Sequence, residues 1–281
     1  MPLARHGQWV QVDLGSLQHP VSRIGAESRV FGRLVVASLA HVEPNWVGTR
    51  YRRDFGRLGS MTSPQHSDPG ATRDPNRPAR LLQAEHDALL PILYRTPEAN
   101  FDNPTVCPAW SVRDVLAHCG SALNRAITGD LHAFTPEQNE MDVAERRSWP
   151  LPDVLSELAA GYLGAAGPIA SAGGRLDGIA LGEWIHGGDV RDALGEPLPY
   201  ASEGYDDACA LLVDRTRRRA IPLVEVHVGD RRLVLGAPIS DRPTATLLTD
   251  HSTLMRLVSG RPALPADYEL TGATPEELVV F

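Results

Sequence analysis

The chain has 281 residues, 42% of them hydrophobic, and a formal charge of −8. That length allows one or two domains with a proper core. No apolar run approaches the ~18 residues that a membrane span needs, and the acidic balance argues against a nucleic-acid-binding surface. Every one of the 27 basic residues is arginine, and Cys107, Cys119 and Cys209 are too few and too scattered for a disulfide framework or a thiolate cage. A reducing cytoplasm is therefore the expected location.

Residues 1–60 hold eight arginines against four acids, so the acidity lies in the rest of the chain. They carry no sustained helical or strand period, and their apolar patch, Leu34 to Val42, is too far from the N-terminus for a signal peptide. Residues 61–80 are a polar linker rich in Pro, Ser and Asp, for which disorder is the expectation. Two readings of 1–79 stand open: a disordered extension, or a mis-assigned one with translation starting near Met61.

From Arg80 the pattern turns helical, with Leu81, Leu82, Glu85, Leu89 and Ile92 at helical spacing and Pro91 predicted to kink or break the helix. His86 reads as a surface or core histidine. The next helix is the best signed. Ser111 is its N-cap, with Asp114 as the capping-box acid, and Val112, Val115, Leu116, Cys119, Leu123 and Ile127 form the apolar stripe. His118 lies on the flank of that stripe, as an interhelical histidine or a ligand, and Cys119 reads as packing. A third helix starts at Leu151-Pro152-Asp153 and carries Val154, Leu155, Leu158 and Tyr162.

The stretch LGEWIHGGDVRDALG, 181–195, is the fourth helix and the richest in chemistry. Glu183, His186 and Asp189 follow one another at three-residue intervals, so a helix stacks them on one side. A carboxylate and an imidazole one turn apart can grip one metal ion, as Glu-x-x-His pairs do in helical bundles. The plain alternative is a pair of solvated acids and a hydrogen-bonded core histidine. Gly182, Gly187 and Gly188 each cost ~1 kcal/mol against Ala in a helix, which suggests that something approaches the backbone closely. Gly195 followed by Glu196-Pro197 is the stop. The four helices suggest an antiparallel bundle over 80–198.

Beyond Pro199 the texture changes to a small α+β domain, 199–281. A helix is expected over Tyr205–Ala220 with a basic end, then a hairpin about Gly229-Asp230. TATLLTD is a third strand, Asp250 caps a short helix closed by Gly260, and Tyr268–Thr271 is a last strand. Thr274-Pro275-Glu276-Glu277 signs a terminal helix.

Three stretches in order, WSVRDVLAH (110–118), EWIHGGDVRDALG (183–195) and LVSGR…YELTGATPEEL (257–278), resemble the mycothiol-dependent maleylpyruvate isomerase family. The resemblance covers about 80–281. It implies a four-helix DinB-like bundle followed by a small C-terminal domain related to sterol-carrier proteins. It also implies a divalent metal, usually zinc, with mycothiol as the thiol cosubstrate. His118 and His186 match the family's histidine ligands. The family's carboxylate stands four residues before the second histidine, where this chain has Gly182; Glu183, three before, is the nearest candidate, and Asp189 is a substitute ligand or a partner for His186. Arg261, in the SGR turn, resembles a functional arginine, a structural role being the other reading.

Two imidazoles and a carboxylate leave a tetrahedral ion one open position. A thiol that coordinates there loses its proton, so the chain needs no nucleophilic cysteine. The expected activity is isomerisation or S-transfer on an electrophilic small molecule, with a low-molecular-weight thiol, no nucleic acid and no membrane, by a monomer or weak dimer. The alternatives are a metal-binding module without turnover and a sensor. All of these metal readings require the side chains of His118 and His186 to lie within about 8 Å of each other.

Overall fold

The structure is a computed structural model that describes residues 73–131, 134–263 and 265–281, all within the unit Gly59–Phe281. The expectations for 1–60 and for the linker up to residue 72 lie outside the described residues. Seven helices and one four-stranded sheet make up the described part. Helix α1 spans Arg77–Arg95, α2 Val112–Thr128, α3 Pro136–Arg146, α4 Leu151–Ser171 and α5 Asp177–Ala193.

The amphipathic stripes read from the sequence do build the helical core. Leu81, Leu82 and Leu89 of α1, Val115, Leu116 and Leu123 of α2, and Val154, Leu158 and Tyr162 of α4 are all buried. The stripe on α2 stops one turn early, because Ile127 is 42% exposed. Helix α2 packs most extensively on α4, and α1 lies against both α4 and α5. The start of α2 is fixed by the expected box: Ser111 Oγ accepts from Asp114 N at 3.2 Å, and Asp114 accepts from Ser111 N at 3.2 Å. Pro91 does not end α1. It lacks the N–H that would bond the Asp87 carbonyl, but both residues are exposed, so water can satisfy that group. Helix α3 was not expected from the pattern. Its signal was the pair Thr135-Pro136, a cap whose hydroxyl accepts from Gln138 N at 3.3 Å, followed by Pro in the first turn.

Gly187 and Gly188 of α5 are explained by what lies on its backbone. A Cβ at Gly187 would collide with the Glu85 carboxylate, and one at Gly188 with the Tyr200 ring. Glu85 uses that approach to reach Arg191, whose Nη2 donates to Oε1 at 2.5 Å in a buried pair. Gly188→Ala should therefore cost about 1–3 kcal/mol by overpacking, measured as a lower urea midpoint; an unchanged midpoint would mean that Tyr200 shifts freely.

Helix α6, Tyr205–Arg218, touches α1, α5 and the sheet. The strands are β1 Val224–Val228, β2 Arg231–Leu235, β3 Ala245–Thr249 and β4 Tyr268–Thr271, in the order β2-β1-β3-β4. The hairpin forms as read, with Val224 opposite Leu235 and Val228 opposite Arg231, while β3 runs parallel to β1. Val224, Val226, Val228, Ala245 and Leu247 alternate inward. Helix α7, His251–Val258, follows β3 and is capped by Asp250, which accepts from Thr253 N at 2.9 Å. The expected terminal helix is only a single 3-10 turn, Pro275–Leu278. An ion pair at 2.7 Å joins Arg256 of α7 to Asp192 of α5. The turn after α7 is thereby brought over the α5 residues that carry the chemistry. No helix among the described residues is long and apolar enough to cross a membrane.

Candidate metal and thiol site

His118 faces out from α2 and His186 from α5, and their rings meet edge to face with centroids 5.1 Å apart. The two imidazoles, far apart in sequence, thus lie within the distance the metal reading requires. Trp110, in the loop before α2, tilts against both rings at 5.0 and 6.5 Å. Together they wall a pocket of about 190 Å³, which Asn139, Gly182, Ile185, Arg261 and Phe281 complete.

Both imidazoles are neutral. Burial, assisted by the neighbouring His186, pushes His118 down to about 3, and burial also lowers His186. Each ring therefore keeps a lone pair near neutral pH, as a metal ligand or a proton acceptor must. Nδ1 of His118 is buried with no hydrogen-bond partner, an arrangement that an interior normally avoids.

His186 is oriented from behind. Its Nδ1 lies 3.1 Å from Asp189 Oδ2 and 3.1 Å from Arg261 Nη2. With the proton on Nδ1, Asp189 accepts it and Nε2 keeps its lone pair. This is the carboxylate–histidine relation that commonly stands behind metal ligands. Asp189 is itself saturated. It accepts from Arg261 Nε at 2.8 Å and Nη2 at 2.5 Å, from the Tyr200 hydroxyl at 2.6 Å and from the Cys107 thiol at 3.3 Å. Burial works to raise this carboxyl, but the His186 hydrogen bond and the Arg261 charge outweigh it and hold it below its ordinary value.

Cys107, His186 and Asp189 form a further group of potential ligands, with donor atoms within 4.8 Å of one another. The protein's own cation already sits among them. Arg261 Nη2 is 3.7 Å from Cys107 Sγ and closer still to the other two. Burial and the Asp189 charge also push the Cys107 thiol up to about 12, far from a ready thiolate. A divalent ion would have to displace a buried guanidinium, so the histidine pair is the better locus.

Glu183, expected beside the imidazoles, stands elsewhere. It is 2% exposed with Oε2 unpartnered. Burial raises its carboxyl well above the ordinary value, although the Cys119 thiol donates toward it. Among the described residues no hydrogen bond joins it to either histidine. Position 182, four before His186, is on the pocket wall, whereas 183 is rotated ~100° around the helix toward Cys119. Glycine occupies the wall position, so the donor set fits two ligand positions of a metal and leaves the third bare. Because the native Glu183 carboxyl titrates above an unfolded glutamate, its contribution to stability is whole below about pH 4.3 and is lost as pH rises through the native value. Glu183→Gln should accordingly raise the thermal midpoint more at pH 8 than at pH 5; an equal shift at both would mean that this carboxyl is not held protonated.

Arg261 lines the pocket, and its guanidinium is committed to Asp189 rather than free. Tyr200, Asn139 and Phe281 were not signalled, since a pocket wall has no periodicity. Trp110 and Cys107 lay in a stretch whose only visible role was to lead into α2.

No curated protein matches the chain. Among solved structures, that of the mycothiol-dependent maleylpyruvate isomerase is similar at TM-score 0.43 and 13% identity, and a histidine-to-alanine mutant of it at 0.45 and 12%. Each alignment covers 73% of this chain and 96% of the other. The family model described as the mycothiol maleylpyruvate isomerase N-terminal domain matches residues 82–175, which include His118 and end before α5. Residues 82–175 of this chain are therefore similar to the mycothiol maleylpyruvate isomerase N-terminal domain.

Proposed function

We propose that this protein is a thiol-dependent enzyme of the maleylpyruvate isomerase type. It would take mycothiol, or a similar low-molecular-weight thiol, and a divalent metal, zinc in the first instance, to attack an electrophilic small molecule by isomerisation or S-transfer. The observation that carries this reading is the pair of neutral imidazoles, with ring centroids 5.1 Å apart on one pocket. His118 and His186 would hold the cation; Glu183, turned toward Cys119, would not. When bound there, a divalent cation lowers the proton affinity of a coordinating thiol.

The chain's own residues have separate tasks. Asp189, 3.1 Å from His186 Nδ1, would fix the tautomer that leaves Nε2 its lone pair by accepting an Nδ1–H. Arg261 is a positioning residue that holds Asp189 through two nitrogens. Trp110 and Phe281 line the pocket beside the two histidines.

His118→Ala and His186→Ala should each sharply lower the metal content of purified protein and abolish thiol-dependent turnover, with helical circular dichroism retained. Full metal in both variants would sink this reading. Gly182 favours a second one, a metal-binding module or sensor without turnover, because it leaves only two protein ligands on the wall. Stoichiometric metal with no thiol consumed across a panel of electrophiles would select that alternative.

A further inference from the structure

Phe281 differs from the residues before it. Leu278 and Val280 are buried, and Val280 N donates to the Val258 carbonyl at 2.9 Å, so this stretch is anchored to α7. The Phe281 ring instead leaves the core. It is 43% exposed, yet it lines the histidine pocket. One of its ring carbons stands 3.9 Å from the place of a Cβ added at Gly182. What holds the ring is Arg215 of α6. Its guanidinium lies over the ring, 4.2 Å from the centroid, and its Nε donates to the Val280 carbonyl at 2.8 Å. Burial and the charges of Arg219 and Arg218 lower this guanidinium to about 10. It is still a cation near neutral pH, and among the described residues no carboxylate pairs with it.

Helix α5 supplies the track. Gly178, Gly182 and His186 are four apart, so they share one face of the helix at intervals of about 6 Å. A Cβ at Gly178 would collide with Arg215 Nη1, one at Gly182 would only touch Phe281, and His186 lines the pocket. Guanidinium, ring and imidazole thus follow one another along that face, with the ring in the middle. A cation–π contact of this kind biases an equilibrium by only about tenfold, so the ring can swing at small cost. The pocket volume of about 190 Å³ lies below the roughly 300 Å³ at which sites for drug-sized ligands begin. We propose that Phe281 is the specificity-determining residue of this pocket. Its ring is an aromatic stop that admits a small electrophile and refuses a bulky substituent directed along α5 toward Gly178; Arg215 is the positioning residue that keeps the ring in place. That the molecule admitted is an electrophile rests on the thiol-enzyme reading above, whereas the stop rests on the pocket geometry alone.

Access is read first, on the full-length protein without metal or thiol. Diethyl pyrocarbonate acylates neutral imidazole nitrogens, and mass spectrometry follows each histidine separately. Phe281→Ala should raise the rate at His118 and His186 about tenfold and leave the other histidines unchanged. Arg215→Met should raise it less, and Phe281→Trp should lower it. An unchanged rate at both positions in folded Phe281→Ala overturns the stop. The second measurement is mycothiol-dependent displacement of chloride from chloroacetamide and from N-benzylchloroacetamide by the zinc-loaded protein. The parent should prefer the smaller compound by about tenfold or more in kcat/KM. Phe281→Ala should erase that preference through the KM of the benzyl compound, whose ring takes the vacated place against Arg215; a preference that survives overturns the stop. If histidine access follows Phe281 while neither compound is turned over, the stop stands and the thiol-enzyme reading falls. If turnover occurs with neither effect of Phe281, the reverse holds, and no turnover with no effect on access overturns both.

Discussion

Asp189→Asn should be the most damaging single change in the described part of the chain. The Arg261 side chain is 10% exposed and that of Asp189 not at all, so removing the charge leaves a guanidinium buried without its counter-ion. Such a half-broken pair costs about 3–5 kcal/mol, to be read as a fall in the urea midpoint with an unchanged slope. The amide also donates where the carboxylate accepted, which disturbs the Tyr200 hydroxyl and the Nδ1–H of His186 together. Loss of such a partner behind a ligand lowers metal affinity by about 10–100-fold. The pH dependence follows from the depressed carboxyl. Its contribution is whole above the value of an unfolded aspartate, about 3.9, and is lost as pH falls through the lower native value. The acid limb of the variant's stability curve should therefore be shallower than that of the parent. Adding Arg261→Met should recover part of the stability, since the orphaned charge goes with it. If the double variant is no better than the single one, the pair is not the seat of the effect.

This hub also shows where sequence reading succeeds and where it stops. The box at Ser111 and Asp114, the hairpin about Gly229 and the cap at Asp250 are local devices, each satisfied within a few residues. Pattern is enough to find them. Of the glycines singled out on α5, Gly187 and Gly188 do mark a close approach, by Glu85 from another helix and Tyr200 from the following loop, which the sequence could not name, whereas Gly182 has room beside it. Helix α3 escaped because only three of its residues, Asp142, Val143 and Arg146, are buried, too few for an apolar stripe. The Asp189 cluster joins residues 107, 186, 189, 200 and 261, and no period links those positions. His118 and His186 could be paired only through the family resemblance. The spacing that made Glu183 a candidate was sound on an ideal helix, but it could not choose between two neighbouring positions 100° apart.

Gly182→Glu turns that ambiguity into a measurement. The site has room, since the nearest atom to an added Cβ is a ring carbon of Phe281 at 3.9 Å. A carboxylate there would stand on the same wall as His118 and His186 and supply the donor that glycine lacks. Zinc affinity, measured by competition with a chromogenic chelator, should rise at least about tenfold, equivalent to ~1.4 kcal/mol. The substitution also relieves the helix of a glycine, worth ~1 kcal/mol, so apo stability must be measured beside affinity to keep the two effects apart. Glu183→Gln should leave affinity unchanged, because that carboxyl is held in the bundle interior against Cys119. The two variants together locate the third vertex. A gain at 182 with no loss at 183 places it on the pocket wall, and the natural protein then presents a cation with more vacant positions than a site of three protein ligands would. A loss at 183 with no gain at 182 would put the ligand inside the bundle and overturn the two-histidine assignment.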